Sequence, residues 1–209
     1  MGPDHTLIAL QPPDDDTLFA RVSTAPDLAA LYVEKLKALR PNGPYILGGY
    51  SAGALLALEM AQQLREQNQE VPLLVLLDPL FLRYSRLEQV IYGALKVLIE
   101  RTKRYAREFR HYNILWAMIQ DKGLERHLLA LQNYKPKPYA GRIILVEAKW
   151  SRFLRPPTFI ASWKKIAKCG LERHRSRGDH HTFLRAPHAG ELGHQLAEWI
   201  RCLTHDHTR

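Results

Sequence analysis

Along this chain, short uninterrupted apolar runs alternate with longer stretches in which apolar residues recur every three or four positions. Leu7 to Leu10 reads as a short buried strand, stopped by Pro12-Pro13-Asp14-Asp15-Asp16, a breaker cluster through which no strand continues. Leu28, Leu31, Tyr32, Leu36 and Leu39 mark one face of an amphipathic helix of about four turns. Ser23 or Thr24 caps it, Pro26 lies in its first turn, and Asn42-Gly43-Pro44 ends it. Tyr45-Ile46-Leu47 is a wholly apolar strand, and Ala54, Leu55, Leu58, Ala61 and Leu64 give helical spacing from just after Ser51 to about Gln67. Val71 to Leu77 is another strand, ending in Asp78-Pro79. A long helical stretch carries Leu87, Val90, Ile91, Leu95, Leu98 and Ile99, followed by aromatics and bases through Trp116 to Leu131. Strand character returns at Arg142 to Val146 and at Leu171 to His174, and Leu192, Leu196, Trp199, Ile200 and Leu203 mark a closing helix.

Strands without polar alternation suit a parallel sheet covered on both faces, and strands taken in turn with helices imply an α/β fold. The stretch from about 83 to 133 interrupts that alternation. With 209 residues, 46% of them hydrophobic, the chain fills one core, so a single domain over 1–209 is expected. The first residues lack a basic segment followed by an apolar one, and no apolar run approaches the roughly 20 residues that span a bilayer. The expectation is a soluble cytoplasmic protein. Cys169 and Cys202 form no metal-like pairing or disulfide framework and read as buried or incidental thiols.

The formal charge of +9 is uneven: residues 83 to 137 hold twelve Lys/Arg against five Asp/Glu. These bases lie among aliphatic helix positions with no recognised nucleic-acid motif, so no nucleic-acid partner is expected.

Chemistry concentrates at Gly49-Tyr50-Ser51-Ala52-Gly53, where an apolar strand runs directly into a helix. A serine on such a tight turn stands at the carboxyl edge of the sheet, and small residues two positions before and after it let neighbouring segments approach. The pattern is that of a nucleophile elbow in an α/β-hydrolase, with the Ala52 N–H at the helix start as oxyanion donor. Serine needs a histidine base, and the base needs a carboxylate to fix its tautomer. Of ten histidines, His180 in Arg177-Gly178-Asp179-His180-His181 is the chosen base, because it follows the last strand in the chain order of serine, acid and histidine. His181 is its near rival; His174 falls on a strand, and His188, His194, His205 and His207 lie in or around the closing helix. Asp78 and Glu147 each end a strand after the nucleophile helix, and position alone does not separate them. Asp179-His180-His181 also carries metal-ligand chemistry, but the further acidic clusters of a metal-dependent phosphoesterase are missing from the sequence, so no metal is expected.

The stretch from Leu36 to Leu64, with Pro44-Tyr-Ile-Leu-Gly-Gly-Tyr-Ser-Ala-Gly53 at its centre, resembles the thioesterase domains of nonribosomal peptide and polyketide synthetases. The resemblance continues through Val75-Leu-Leu-Asp-Pro79, Tyr134-Lys-Pro-Lys-Pro-Tyr-Ala-Gly141, Trp163 and Gly178-Asp-His180. It implies Asp78 as the acid and His180 as the base. It also implies an acyl or peptidyl thioester held on the phosphopantetheine arm of a carrier protein, released by hydrolysis or cyclisation, with no cofactor bound directly. The stretch at 83–133 corresponds to the family's lid, whose basic charge would suit an acidic carrier. Family members usually begin with a strand and a Gly-rich loop that gives a second oxyanion N–H. This chain is expected to start too late to contain them, which implies a shortened sheet and a loss on the order of 10² to 10³ in turnover. Two alternatives follow: a catalytically impaired module that binds carriers, and a general carboxylesterase.

Overall fold

The computed structural model describes residues 6–10, 22–79, 129–131, 133–149, 151 and 155–206. The described elements are α1 (Ala25–Leu39), β1 (Ile46–Tyr50), α2 (Ala52–Glu66), β2 (Leu73–Leu77), β3 (Ile143–Ala148), α3 (Thr158–Ile166), β4 (Leu171–Ser176) and α4 (His188–Asp206). The four strands lie in the order β1-β2-β3-β4, every neighbouring pair parallel.

Side chains alternate across the sheet and both faces are covered, which is why the central strands β2 and β3 read as nearly continuous apolar runs, whereas β4, Leu171–Ser176, is mostly polar and only partly buried. Leu74 and Leu76 of β2 and Ile143 and Leu145 of β3 enter a core shared with α1, α2, Phe159 and Trp163. Their neighbours Leu73, Val75, Ile144, Val146 and Ala148 enter a second core with Phe183, Leu192 and Trp199. The expected α/β architecture, with helices on both faces of a parallel sheet, is therefore present.

Local rules account for the helix ends. The Thr24 side chain accepts the N–H of Asp27 at the start of α1, with Pro26 in the first turn, as the pattern anticipates. Eleven of the fifteen residues of α2 are buried, because that helix is packed between α1 and the strands β1 and β2. Its buried Glu59 accepts hydrogen bonds from Tyr134 Oη at 2.7 Å and Gln63 Nε2 at 3.1 Å, while Gln62 Nε2 donates to the Lys137 carbonyl at 2.8 Å. These bonds pin the segment that leads into β3. The neighbouring carboxylate and burial together push the Tyr134 hydroxyl upward from the ordinary tyrosine value, burial being the larger cause.

Several expectations are corrected. Residues 6–10 form no strand: Leu7 is 77% exposed and Ile8 52% exposed, and only Leu10 packs against the core. A four-residue apolar run carries no information about a pairing partner, and a strand exists only as part of a ladder. Cys169 and Cys202 are exposed, which leaves the incidental one of their two readings. Helix α3 had no counterpart in the periodicity, since its nine residues bury only Phe159 and Trp163. The expected lid at 83–133 lies outside the described residues except at its end, where Ala130 and Leu131 join the larger core.

Of the two glycines flanking Ser51, only Gly49 is sterically required by the described residues. A Cβ on Gly49 would stand 2.2 Å from the Gly53 carbonyl oxygen, whereas one on Gly53 would meet nothing within 4 Å among the described residues. The close approach is thus made by the backbone of Gly53, not by its missing side chain. Gly49→Ala is expected to lower stability in thermal or urea unfolding by about 1–3 kcal/mol or more, because backbone atoms form the obstacle. Gly53→Ala is expected to leave stability unchanged, and equal losses in the two variants would contradict this reading.

Candidate active site

The parallel register brings the carboxyl ends of the strands level, and the residues just past them form one cluster. Tyr50 is paired with Leu77, and Leu77 with Val146. The ladder continues one step beyond the strands, with Ser51 N–H donating to the Leu77 carbonyl at 2.9 Å and Asp78 N–H to the Val146 carbonyl at 2.7 Å. Ser51 and Asp78 are consequently fixed side by side at one edge of the sheet.

Ser51 is the cap of α2 with φ 56° and ψ −119°, a left-handed φ that costs a non-glycine residue on the order of 1–3 kcal/mol. Such strain is characteristic of a serine held out on a strand-to-helix turn. Ala52 is the first residue of α2, so its N–H belongs to the helical turn whose donors have no intrahelical acceptor. That is an electropositive point beside the serine oxygen.

His180 is delivered by the loop after β4. Gly178 has φ 88°, and a Cβ there would lie 2.9 Å from both the His188 ring and Thr182 Oγ1, so glycine is needed for the turn. Asp179 then closes a tight loop by accepting the N–H groups of His181 and Thr182, each at 2.9 Å. The Tyr50 hydroxyl donates to the His180 carbonyl at 2.6 Å, and the two rings lie 4.8 Å apart. Burial chiefly, with Asp78 and Asp179 nearby, pushes the Tyr50 hydroxyl up to about 12, so it remains a donor at neutral pH.

In this frame His180 Nε2 lies 3.0 Å from Ser51 Oγ, and its Nδ1 lies 2.6 Å from Asp78 Oδ2. Asp78 is 1% exposed. Beyond His180 it accepts from Ser151 Oγ at 2.6 Å, from the Ala148 N–H at 3.0 Å and from the Arg155 guanidinium. Burial pushes this carboxyl upward, but the bond from His180, the Arg155 charge, and the Ser151 and Ala148 donors outweigh it and hold the group below its ordinary value. An ionised Asp78 only accepts, so it holds a proton on Nδ1, and in that tautomer of the ring Nε2 presents its lone pair to the serine hydroxyl.

Position along the chain left Asp78 and Glu147 level as acids and the resemblance favoured Asp78; the structure brings Asp78 to His180. Glu147 instead accepts from Arg155 at 3.2 Å and from Arg173 at 2.6 Å. His181 lies beside His180 with ring centroids 5.3 Å apart, and its own backbone N–H is taken by Asp179. Burial first, then the adjacent His180, lowers its affinity for a proton. His174 bonds Glu172 at 2.7 Å and packs on Trp199, as a residue of the sheet edge. Sequence reasoning missed Ser151, Arg155 and Tyr50 as neighbours of the cluster. Only Tyr50 carried a signal, through its place beside Ser51.

Because the folded protein holds Asp78 below its unfolded value of about 3.9, this carboxylate stabilises the fold fully above that value. The contribution is lost as pH falls through the depressed folded value. In urea unfolding across about pH 6 to 2, Asp78→Asn is expected to show a shallower loss of stability than the wild type. Parallel pH dependences would contradict it.

The family model of the thioesterase domain matches residues 2–199. The chain is 38% identical over 78 residues to the non-reducing polyketide synthase terA of Aspergillus terreus, which covers 37% of this chain and 4% of the synthase. It is 24% identical over 181 residues to malpibaldin synthetase of Mortierella alpina, covering 83% of this chain and 3% of that one. The chain therefore spans only 3–4% of the length of these relatives. Among solved structures, the NocB thioesterase domain in a covalent complex with a fluorophosphonate nocardicin G analog superposes with a TM-score of 0.55 at 24% identity, covering 84% of this chain and 72% of that one. The surfactin-cyclising thioesterase domain SrfTE gives 0.54 at 22% identity, covering 83% and 75%. Among the described residues no helix is long and apolar enough to cross a membrane. The match along nearly the whole length, on a parallel sheet with an elbow at Ser51, means that this chain belongs to the thioesterase domain family and has the α/β-hydrolase fold.

Proposed function

We propose that this protein, acting as a single domain, is a serine thioesterase that releases an acyl or peptidyl group from the phosphopantetheine arm of a carrier protein. The observation that carries the reading is the chain of hydrogen bonds from Ser51 Oγ to His180 Nε2 at 3.0 Å and from His180 Nδ1 to Asp78 at 2.6 Å. Membership of the thioesterase family supports the choice of a thioester over other acyl donors.

In this mechanism the Ser51 oxygen attacks the thioester carbonyl carbon as its proton passes to His180 Nε2. The carbonyl oxygen becomes an oxyanion facing the Ala52 N–H and the amino end of α2. The carbon–sulfur bond then breaks, and the departing thiol of the arm takes the proton back from Nε2. An ester on Ser51 remains. Water, or a nucleophile within the acyl chain, attacks that ester with His180 again as base, giving a free acid or a ring. Asp78 stabilises the imidazolium in both halves without itself taking the proton.

The reading is tested by mixing the folded protein with hexanoyl-loaded carrier protein and recording intact mass. A hexanoyl adduct on the wild type is expected, absent in Ser51→Ala, with turnover reduced by about 10³-fold or more in that variant. A faster reaction with a hexanoyl oxygen ester than with the carrier would favour a general carboxylesterase. Binding of the carrier with no adduct from either form would favour a carrier-binding module, and either result would overturn the proposal.

A further inference from the structure

Arg155 is an unexpected neighbour for the acid of a base relay. Its guanidinium spans two carboxylates, Nη2 on Asp78 Oδ1 and Nη1 on Glu147 Oε1, and it lies 4.0 Å above the Phe159 ring. Its side chain is 11% exposed. Glu147 in turn is held by Arg173, with bonds of 3.2 and 2.6 Å. The result is a row of alternating charge, Asp78, Arg155, Glu147, Arg173, that begins at the relay and ends on β4, the outermost of the described strands. The two oxygens of Asp78 are divided: Oδ2 serves His180 and Ser151, and Oδ1 serves Arg155 and the Ala148 N–H.

We propose that Arg155 is a positioning residue that acts through Asp78 on His180, taking a share of the carboxylate's charge, and that Glu147 sets the size of that share. The inference rests on His180 being the base for Ser51. A base must be free of its proton at the moment the serine attacks, and an imidazole against an unshared buried carboxylate is drawn toward the imidazolium. A cation on the far oxygen opposes this. Glu147 restrains the cation, since a guanidinium shared between two carboxylates withholds part of its charge from either. Arginine suits the position because its planar fork reaches both partners at once. The other groups facing the relay are the Tyr50 hydroxyl from β1, Ser151 after β3, and Asp179, His181 and Arg185 in the loop that carries His180. None of them touches Oδ1 of Asp78 among the contacts described.

This arrangement predicts opposite effects from two substitutions in one network. Arg155→Met is expected to move the protonation midpoint of the His180 ring, followed by NMR across pH, upward by about one pH unit. Glu147→Gln leaves the guanidinium less restrained and is expected to move it downward by a smaller amount. Arg155→Lys keeps a positive charge without the fork and is expected to move the midpoint upward by less than Arg155→Met does. The low-pH limb of Ser51 acylation follows the same order. A merely structural role for Arg155 would lower activity without ordering the midpoints in this way. Unmoved midpoints, or shifts of one sign in both Arg155→Met and Glu147→Gln, would overturn the proposal, and if Arg155→Met fails to fold, the absence of a downward shift in Glu147→Gln overturns it alone. A wild type that never acylates Ser51 sinks the functional reading instead, and the ring titration still decides the coupling.

Discussion

A carboxylate buried out of reach of water is the constraint on which this structure turns. Asp78 is 1% exposed, and an unpaired charge in that position would cost several kcal/mol. The fold answers with four donors drawn from three separate stretches: Ala148 at the end of β3, Ser151 and Arg155 in the segment after it, and His180 after β4. Satisfying the charge is therefore the same act as assembling the site. Were any of those stretches misplaced, the cost would fall on Asp78, so the carboxylate ties the geometry of the loops to the stability of the sheet.

The sheet supplies the other half of the arrangement. Its parallel ladder extends past the strand ends to Ser51 and Asp78, so two residues distant in sequence are set by backbone hydrogen bonds. The strained backbone at Ser51 is tolerated because strand and helix hold it from both sides, and because Gly49 lets the start of α2 come within contact distance. His180 is less rigidly built in. It depends on a glycine turn, on the cap that Asp179 makes, and on Tyr50, which reaches from the residue before the serine to the histidine's own carbonyl.

Much of this could be read from the chain before any coordinates. Parallel strands buried on both faces announce themselves as unbroken apolar runs, and Val71 to Leu77 and Arg142 to Val146 did so. The elbow was legible because Gly49, Ser51 and the helix after them act over a few residues. What stayed hidden depends on partners far away. Leu7 to Leu10 looked like a strand, since a pattern does not report whether a ladder partner exists. By position alone Asp78 and Glu147 were indistinguishable, both being acids at strand ends; the resemblance pointed to Asp78, and in the structure it is Asp78 that meets His180 while Glu147 meets Arg173, with Arg155 shared between them. Arg155 itself sits before two prolines with no motif around it, so nothing local marks it as a neighbour of the site.

The most direct test of the account is the rate at which a fluorophosphonate forms a covalent bond to Ser51 in the wild type and in Asp78→Asn, with folding of both checked by circular dichroism. The account predicts a single adduct on Ser51 of the wild type and a rate lower by about 10⁴-fold in the variant, where the amide no longer fixes the imidazole tautomer. A folded wild type that takes no label, or a folded Asp78→Asn that is labelled as fast, would contradict it.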